Sequence, residues 1–309
     1  MKQWAAFWTL GSIWGSSFLL IKIAVDELGV FPLVGLRVGI AGVLMLLYLW
    51  ATGRLALQSR WDVLSVIGIG IFNVALPFTL ITRAEESIDS SLATILNATV
   101  PLFSLIFAHF VLFDDRLTRE RIVGLAIGYI GIVILVSRGL SDTGNSPVSG
   151  QIMMLVAAAS YAMSVVYIRA RLRHIEPIRI AGLSLVVAAI IMVPLSLVTD
   201  GVPEFGALSS DTLWAIGTLG TVNTVVAYFL WYYLISEWGA RATLVTYTFP
   251  PIGVTLGAIF LDEVVDIRLV IGAALILGGI FVVNFSRKPR IPAPTAPVPP
   301  NPDGEKMPA

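Results

Sequence analysis

Long apolar stretches alternate along the chain with short polar segments. The hydrocarbon core of a bilayer is about 30 Å thick, so a spanning helix needs about 20 apolar residues. These stretches are continuously apolar, whereas the strands of a membrane β-barrel alternate apolar and polar positions. The pattern therefore predicts an all-α integral membrane protein with ten transmembrane helices, numbered 1 to 10 in chain order. They cover residues 4–25, 31–50, 61–83, 90–112, 120–137, 149–169, 178–199, 211–235, 241–261 and 267–285.

The same pattern occurs twice, with its two copies about 150 residues apart. Aligning Asn73 with Asn223 also places Pro101 on Pro251. Each copy has five helices, an odd number, so the second copy must enter the membrane from the opposite face. The chain is therefore predicted to contain two inverted five-helix repeats, an arrangement that many transporters use for alternating access. Other aligned pairs are Gly70 with Gly220, Phe78 with Tyr228, and Lys22 with Arg169.

Polar segments separate these units and predict the domain boundaries. Residues 4–137 form the first repeat, 138–148 a polar linker and 149–285 the second repeat. The remaining residues, 286–309, are rich in proline and open with a basic cluster. Such a composition cannot bury a core, so this tail is predicted to be disordered and cytoplasmic.

Charge is sparse and unevenly distributed. Hydrophobic residues make up 57 % of the chain and charged residues 13 %, and the formal net charge is zero. Of the 20 Lys and Arg residues, fifteen fall on one predicted side of the membrane and only Arg83, Arg138 and Arg268 on the other. Positive residues favour the cytoplasmic side. Both termini are therefore predicted to be cytoplasmic, in a multi-pass protein of the plasma membrane, the inner membrane of a bacterium.

Several classes of function are disfavoured by residues that the chain lacks. It has no cysteine and only two histidines, and no Walker-type phosphate loop, so no cofactor, metal or built-in ATPase is expected. A membrane-embedded transferase would need an acid–base pair with an orienting partner, and no such set is seen. A sensor or scaffold would need a folded soluble domain. We therefore expect a protein that is not an enzyme and does not bind nucleic acid.

The residues also resemble a known family. Trp14-Gly15-Ser16-Ser17-Phe18, Leu36-Arg37, Pro101, Asp115-Arg116-Leu117-Thr118 with Gly124, and Glu263 with Gly272 are similar to motifs of the drug/metabolite transporter superfamily. Within it, the chain resembles the ten-helix proteins with two EamA-type domains, over residues 4–285. The resemblance implies export of small metabolites, often amino acids, through a central cavity lined mainly by helices 1, 3, 4, 6, 8 and 9. Asp115 stands where the family pattern usually has Glu, at a loop position expected to be structural.

Polar groups inside a membrane are costly unless they are satisfied or used, so they are candidates for substrate contact. Asn73 and Asn223 lie near the middle of helices 3 and 8, and Asn97 lies one turn before Pro101. An amide can both donate to a carboxylate and accept from an ammonium group. The alternative is that these amides form hydrogen bonds that lock neighbouring helices together. The aromatic candidates for the same site are Trp14, Tyr161, Tyr228, Trp231 and Tyr247, the last being the counterpart of Asn97.

Prolines and charges inside the helices suggest mechanical or electrostatic roles. Proline removes a backbone donor and bends a helix, so a hinge is predicted at Pro101 in helix 4 and at Pro250 and Pro251 in helix 9. The charged candidates for substrate binding or coupling are Lys22, Arg37 and His109. Each has an alternative. Lys22 can pair with Asp26, and Arg37 can extend outward or pair with Asp26 or Glu27. His109 can have no part in proton coupling.

No Asp or Glu lies near the centre of any predicted helix. Carriers of organic cations generally need a buried carboxylate to replace the hydration of the cation. The sequence therefore favours a secondary transporter that exports small neutral or zwitterionic metabolites, such as amino acids, by alternating access. Drug or organic-cation efflux, and metabolite uptake by the same fold, stay open as alternatives. The expected partners are a small-molecule metabolite and the lipid bilayer, and a homodimer also stays open.

Overall fold

A computed structural model describes residues 1–112, 117–141 and 147–285. Over these residues, ten helices are long and apolar enough to cross a membrane, which confirms the predicted number. They are α1 Lys2–Leu28, α2 Val30–Ala51, α3 Arg60–Glu85, α4 Ser90–Val111, α5 Arg119–Ser137, α6 Val148–Arg171, α7 Pro177–Thr199, α8 Ser210–Trp238, α9 Ala242–Phe260 and α10 Ile267–Asn284.

Every predicted stretch corresponds to one of these helices, so the chain is an all-helical, ten-helix membrane protein. Helical structure continues from α5 through Ser141, inside the segment predicted as a linker. The rest of that linker up to residue 146, the loop with Asp115, and the tail from residue 286 lie outside the described residues. The predicted domain boundaries and the cytoplasmic position of both termini stay predictions.

Glycines at matched positions pack the two halves against each other in a symmetrical way. A Cβ at Gly70 of α3 would lie 2.6 Å from the Val187 side chain of α7. A Cβ at Gly220 of α8 would lie 2.8 Å from Ile40 of α2. Small residues let membrane helices approach closely, and dispersion contacts then hold them together. In each half, the third helix therefore packs on the second helix of the other half.

Helices α5 and α10 pack backbone against backbone. A Cβ at Gly279 of α10 would lie 2.5 Å from the carbonyl oxygen of Gly124 and 2.6 Å from the backbone nitrogen of Gly128, both in α5. A Cβ at Gly131 would lie 2.8 Å from the carbonyl of Gly272. Because the opposing atoms are backbone, no side-chain rotation could make room. The close packing of α5 on α10 therefore requires glycine at these positions.

Glu263, in the loop before α10, caps the N-terminus of α4. Its Oε1 accepts from the backbone N–H of Ser90 at 2.7 Å, and its Oε2 accepts from the N–H of Ser91 at 2.9 Å and from the Ser91 hydroxyl. The first N–H groups of a helix have no partner within the helix and carry partial positive charge, so a carboxylate there is stabilising. The family-like motif residue Glu263 thus has a structural role, which joins the two repeats.

We expect Glu263→Gln to lower the stability of the folded protein by about 1–3 kcal/mol, because the amide presents only one acceptor to two N–H donors. The thermal midpoint of the detergent-purified protein measures this change. Glu86→Gln is the control, since Glu86 is exposed and, among the described residues, pairs only with Arg83 three residues earlier. Equal midpoints for the two variants would contradict a capping role for Glu263.

Candidate functional site

The middle of α3 and the middle of α8 are wound as π-helix. The π segment of α3 covers Ile71–Ala75 and includes Asn73, and that of α8 covers Thr221–Val226 and includes Asn223. Short π segments inside α-helices are rare and are often found at functional sites. The two segments lie at equivalent places of the two repeats, so the local distortion is duplicated together with its asparagine.

Helices α4 and α9 are also irregular, and again at equivalent places. In α4, one α-helical segment ends at Asn97 and the next begins at Val100, with Pro101 in its first turn. In α9, a 3₁₀ segment precedes an α-helical segment that begins at Phe249 and has Pro250 in its first turn. Proline is tolerated in the first turn because its missing N–H would have no helical partner there. The predicted distortions are present, and their role as hinges stays a prediction.

A cavity of about 260 Å³ lies between the two repeats, where these irregular segments meet. It is bordered by α1, α2, α3, α4, α6, α8 and α9, which adds α2 to the helices that the resemblance implied. Its lining consists of Trp14, Ser17, Phe18, Ile21, Arg37, Asn73, Phe78, Ile81, Asn97, Ala98, Val100, Pro101, Tyr161, Val165, Asn223, Thr224, Tyr228, Trp231, Thr246 and Phe249.

Most of the predicted site residues line this cavity, but not all. Tyr247 is absent from the lining, and its hydroxyl accepts a hydrogen bond from Asn284 Nδ2 at 2.9 Å, which ties α9 to α10. Pro250 is buried and Pro251 is exposed, and neither reaches the cavity. The predicted residues that line it are Trp14, Asn73, Asn97, Tyr161, Asn223, Tyr228, Trp231, Pro101 and Arg37.

The two aligned asparagines have different surroundings. Asn223 is 2 % exposed, and its Nδ2 donates to the carbonyl of Ile13, to Ser17 Oγ at 2.9 Å and to Ser16 Oγ at 3.3 Å, all in α1. Asn73 is partly exposed to the cavity and has no hydrogen-bond partner among the described residues. Asn223 therefore joins α8 to α1 and also lines the cavity, whereas the Asn73 amide makes no such bond among the described residues.

The second-half counterpart of Ile13 explains this difference. That counterpart is Ser160 in α6, whose hydroxyl donates to the carbonyl of Phe72 at 2.5 Å, inside the π segment of α3. In both halves, a hydrogen bond therefore joins the π segment to the same position of the helix that opens the other repeat. The donor is the asparagine in one half and the serine in the other. The π segment of α3 is thus joined to α6 through Ser160 and not through Asn73.

Asn97 lies at the break in α4 and presents an unused acceptor. Its Oδ1 is buried and has no hydrogen-bond partner among the residues that the structure describes. A buried polar atom without a partner costs free energy, about 1–3 kcal/mol. Because Asn97 lines the cavity, a donor on a bound molecule would relieve that cost.

Aromatic rings form one wall of the cavity. The ring centres of Trp14 in α1 and Trp231 in α8 are 5.5 Å apart, and those of Trp14 and Phe249 in α9 are 5.6 Å apart with the rings perpendicular. Tyr161 and Tyr228 also face the cavity. This wall suits an apolar or aromatic group of a ligand.

The charged candidates lie in three different environments. Arg37 faces the cavity and does not extend outward, and Glu27 accepts instead from the backbone N–H of Ser209 at 2.9 Å. Lys22 donates to the carbonyls of Glu85 at 2.6 Å and Ile88 at 3.3 Å, which closes α1 onto the end of α3. His109 is not in the cavity lining, and its Nδ1 accepts from the N–H of Leu117 at 3.3 Å.

The sequence profile of the EamA-like transporter family matches residues 3–137 and 148–285, which together are most of the chain. The chain belongs to the EamA-like transporter family. The match occurs twice, once for each repeat, in agreement with the duplicated segments and the symmetrical packing.

Relatives of this EamA-like transporter are named as membrane transporters. A protein of Archaeoglobus fulgidus named "Uncharacterized transporter" is 26 % identical over 93 % of this chain and 100 % of its own length. "Uncharacterized inner membrane transporter YedA" of Escherichia coli K12 is 30 % identical over 83 % of this chain and 82 % of its own length. "Probable amino-acid metabolite efflux pump" of Salmonella typhimurium LT2 is 25 % identical over 90 % of this chain and 93 % of its own length.

A solved crystal structure shares the fold, with a TM-score of 0.63 and 22 % identity over 92 % of this chain and 96 % of that one. With the ten membrane helices and the inner-membrane relative, these findings identify an EamA-like transporter of the plasma membrane that crosses it several times.

Proposed function

We propose that this EamA-like transporter exports small neutral or zwitterionic metabolites, amino acids among them, by alternating access. The lining of the central cavity carries the proposal. It combines amides, hydroxyls, aromatic rings and the guanidinium of Arg37, and it contains no Asp or Glu among its described residues. Such a lining suits a solute with both donors and acceptors and disfavours an organic cation, which would need a carboxylate. The relative named as an amino-acid metabolite efflux pump supports the same substrate class and direction.

The irregular helices supply the mechanical part of this proposal. Helices α4 and α9 are broken beside the cavity at equivalent places of the two repeats, and broken helices are the usual binding and switching elements of inverted-repeat transporters. One repeat would tilt against the other about these breaks. Ile81 lines the cavity, and one turn further along α3 the carbonyl of Glu85 binds Lys22 of α1. We infer that this contact closes one end of the cavity and opens during export.

We expect cells that make the wild-type protein to release a small set of zwitterions, and the double variant Asn73→Ala/Asn97→Ala to release them about ten-fold more slowly. Both substitutions remove groups that have free hydrogen-bonding capacity in the cavity, and each lost bond costs about 0.5–1.5 kcal/mol. Mass spectrometry of the medium, normalised to protein in the membrane, measures the release.

Thr255→Ala is the matched control for this experiment. Thr255 lies on α9, is exposed, and within the described part of the chain bonds only to the carbonyl of Pro251 in its own helix. It should release metabolites at the wild-type rate. The same medium profile for wild-type cells and for cells without the protein would contradict export of metabolites.

A further inference from the structure

The guanidinium of Arg37 lies inside the membrane, on the wall of the central cavity. Arg37 is only 8 % exposed. Its Nε donates to Thr224 Oγ1 at 3.2 Å, and its Cζ lies 4.1 Å from the centre of the Phe78 ring. The hydroxyl of Thr224 in turn donates to the carbonyl of Leu219 at 2.7 Å. Two neutral groups from α8 and α3 thus hold the orientation of this cation without neutralising its charge.

No carboxylate among the described residues forms an ion pair with Arg37. Glu85 acts electrostatically on Arg37 but does not line the cavity: its backbone carbonyl accepts from Lys22, and its two carboxylate oxygens are buried without a hydrogen-bond partner among the described residues. Glu263, the other acid of that region, caps α4. The lining of the cavity itself has a cation and no anion. A cation this deeply buried is costly without a counter-charge, and such residues usually mark a substrate pathway.

The geometry of the side chain selects the counter-charge. The Nε edge of the guanidinium faces Thr224, and no hydrogen bond to the described residues uses its two terminal nitrogens. Two parallel N–H groups of arginine match the two oxygens of a carboxylate, so that both bonds can form at once. The same cavity offers the orphaned Oδ1 of Asn97 as an acceptor and the rings of Trp14 and Trp231 as an apolar wall.

We propose that Arg37 binds the carboxylate of the transported metabolite, so that the substrates are organic monocarboxylates with an apolar or aromatic part, amino acids included. This inference rests on the proposed function, narrows it to solutes that carry a carboxylate, and extends it to monocarboxylates without an ammonium group. A carboxylate supplies the charge that the cavity lacks, the apolar part packs on the aromatic wall, and an ammonium group, where there is one, donates to Asn97. Amines and esters that lack a carboxylate are excluded because they leave the guanidinium unpaired.

A competition experiment in proteoliposomes tests this assignment. Vesicles that contain the wild type, Arg37→Lys or Arg37→Gln are incubated with a defined mixture of three groups of compounds. These are the twenty standard amino acids with the simple monocarboxylates acetate, lactate and pyruvate, the amines that correspond to decarboxylated amino acids, and the amino-acid methyl esters. Mass spectrometry measures what each vesicle preparation accumulates, relative to protein-free vesicles.

We expect every compound that the wild type accumulates to have a free carboxylate. Arg37→Gln should lower this accumulation about thirty-fold or more, the loss expected for removing one partner of a buried charge pair. Arg37→Lys, which keeps the charge but loses the paired N–H groups, should retain the selectivity with weaker uptake. Without ligand, the thermal midpoint of Arg37→Gln should equal or exceed that of the wild type, since an unpaired buried charge is removed.

Three outcomes would overturn the assignment. Amines or esters could be accumulated as well as the acids and independently of Arg37, in which case transport stands and the carboxylate site does not. Chloride alone could protect the wild type against heat, with the accumulation of acids unaffected by Arg37→Gln, which would identify an inorganic counter-ion. Finally, wild-type vesicles could accumulate nothing beyond the protein-free vesicles, which would count against the proposed function itself as well as against the site.

Discussion

Replacing Gly279 with leucine is expected to abolish the accumulation of folded protein, whereas the same change at the neighbouring Gly278 is expected to be tolerated. At Gly279, even a Cβ would overlap the backbone of Gly124 and Gly128, so α10 would have to move away from α5. At Gly278, a Cβ meets no atom within 4 Å. The two positions are adjacent in one helix, so replacing glycine has the same effect on intrinsic helix propensity at both. Any difference between the variants then comes from the contact with α5. Size-exclusion profiles of the detergent-extracted variants measure the folded fraction.

The alanine pair gives a graded form of the same experiment. Gly279→Ala should lower the stability by about 1–3 kcal/mol, the usual cost of overpacking a tight interface. Gly278→Ala should be neutral or stabilising by up to about 1 kcal/mol, because alanine is the better helix former. Thermal midpoints in detergent measure both. Equal stability of Gly279→Ala and Gly278→Ala would contradict the close packing of α5 on α10.

The ten helices could be predicted from the sequence because a bilayer leaves few alternatives. A long apolar segment must satisfy all its backbone hydrogen bonds internally, so length and composition nearly determine a membrane helix. The irregularities of α4 and α9 could be predicted for a similar reason, since Pro101 and Pro250 cannot donate a backbone hydrogen bond. These conclusions depend on chemistry within a few residues of each position.

The π segments of α3 and α8 were not predicted. Neither Ile71–Ala75 nor Thr221–Val226 contains proline or glycine, and a change in helix winding leaves no mark in apolar composition. The one signal in the sequence is the duplication of Asn73 and Asn223 itself. It marked the right positions, but it indicated a polar side chain rather than a local distortion of the backbone.

The orientation of Arg37 and the position of Tyr247 were also beyond prediction from the sequence, because both depend on contacts between helices. The groups that hold Arg37 in place, Thr224 and Phe78, belong to two other helices, one of them 187 residues away in the chain. Tyr247 was assigned to the cavity as the counterpart of Asn97, yet its hydroxyl binds Asn284 of α10. Sequence symmetry identifies equivalent positions, whereas the partners at those positions depend on packing between helices.

Asn223→Ala and Asn73→Ala are expected to have opposite effects, although the two residues are equivalent in the repeats. Asn223→Ala removes hydrogen bonds to Ile13 and Ser17 inside the bundle and should lower the stability by about 1–3 kcal/mol. Asn73→Ala removes no bond between helices, so its thermal midpoint should be unchanged, while metabolite release should fall about three- to ten-fold. Midpoints of the purified variants and release per folded molecule measure the two effects separately.

Ser160→Ala tests why the two asparagines differ. The bond between the π segment and the first helix of the other repeat is donated by Asn223 in one case and by Ser160 in the other. Ser160 of the second half bonds to the carbonyl of Phe72 in the first half, so its loss should destabilise the protein in the same way as Asn223→Ala. If Asn73→Ala also lowered the thermal midpoint by a similar amount, both asparagines would be structural and the cavity would lose one of its polar contacts. If instead only Asn223→Ala and Ser160→Ala do so, the duplicated unit has kept one lock in each half and released Asn73 for the substrate.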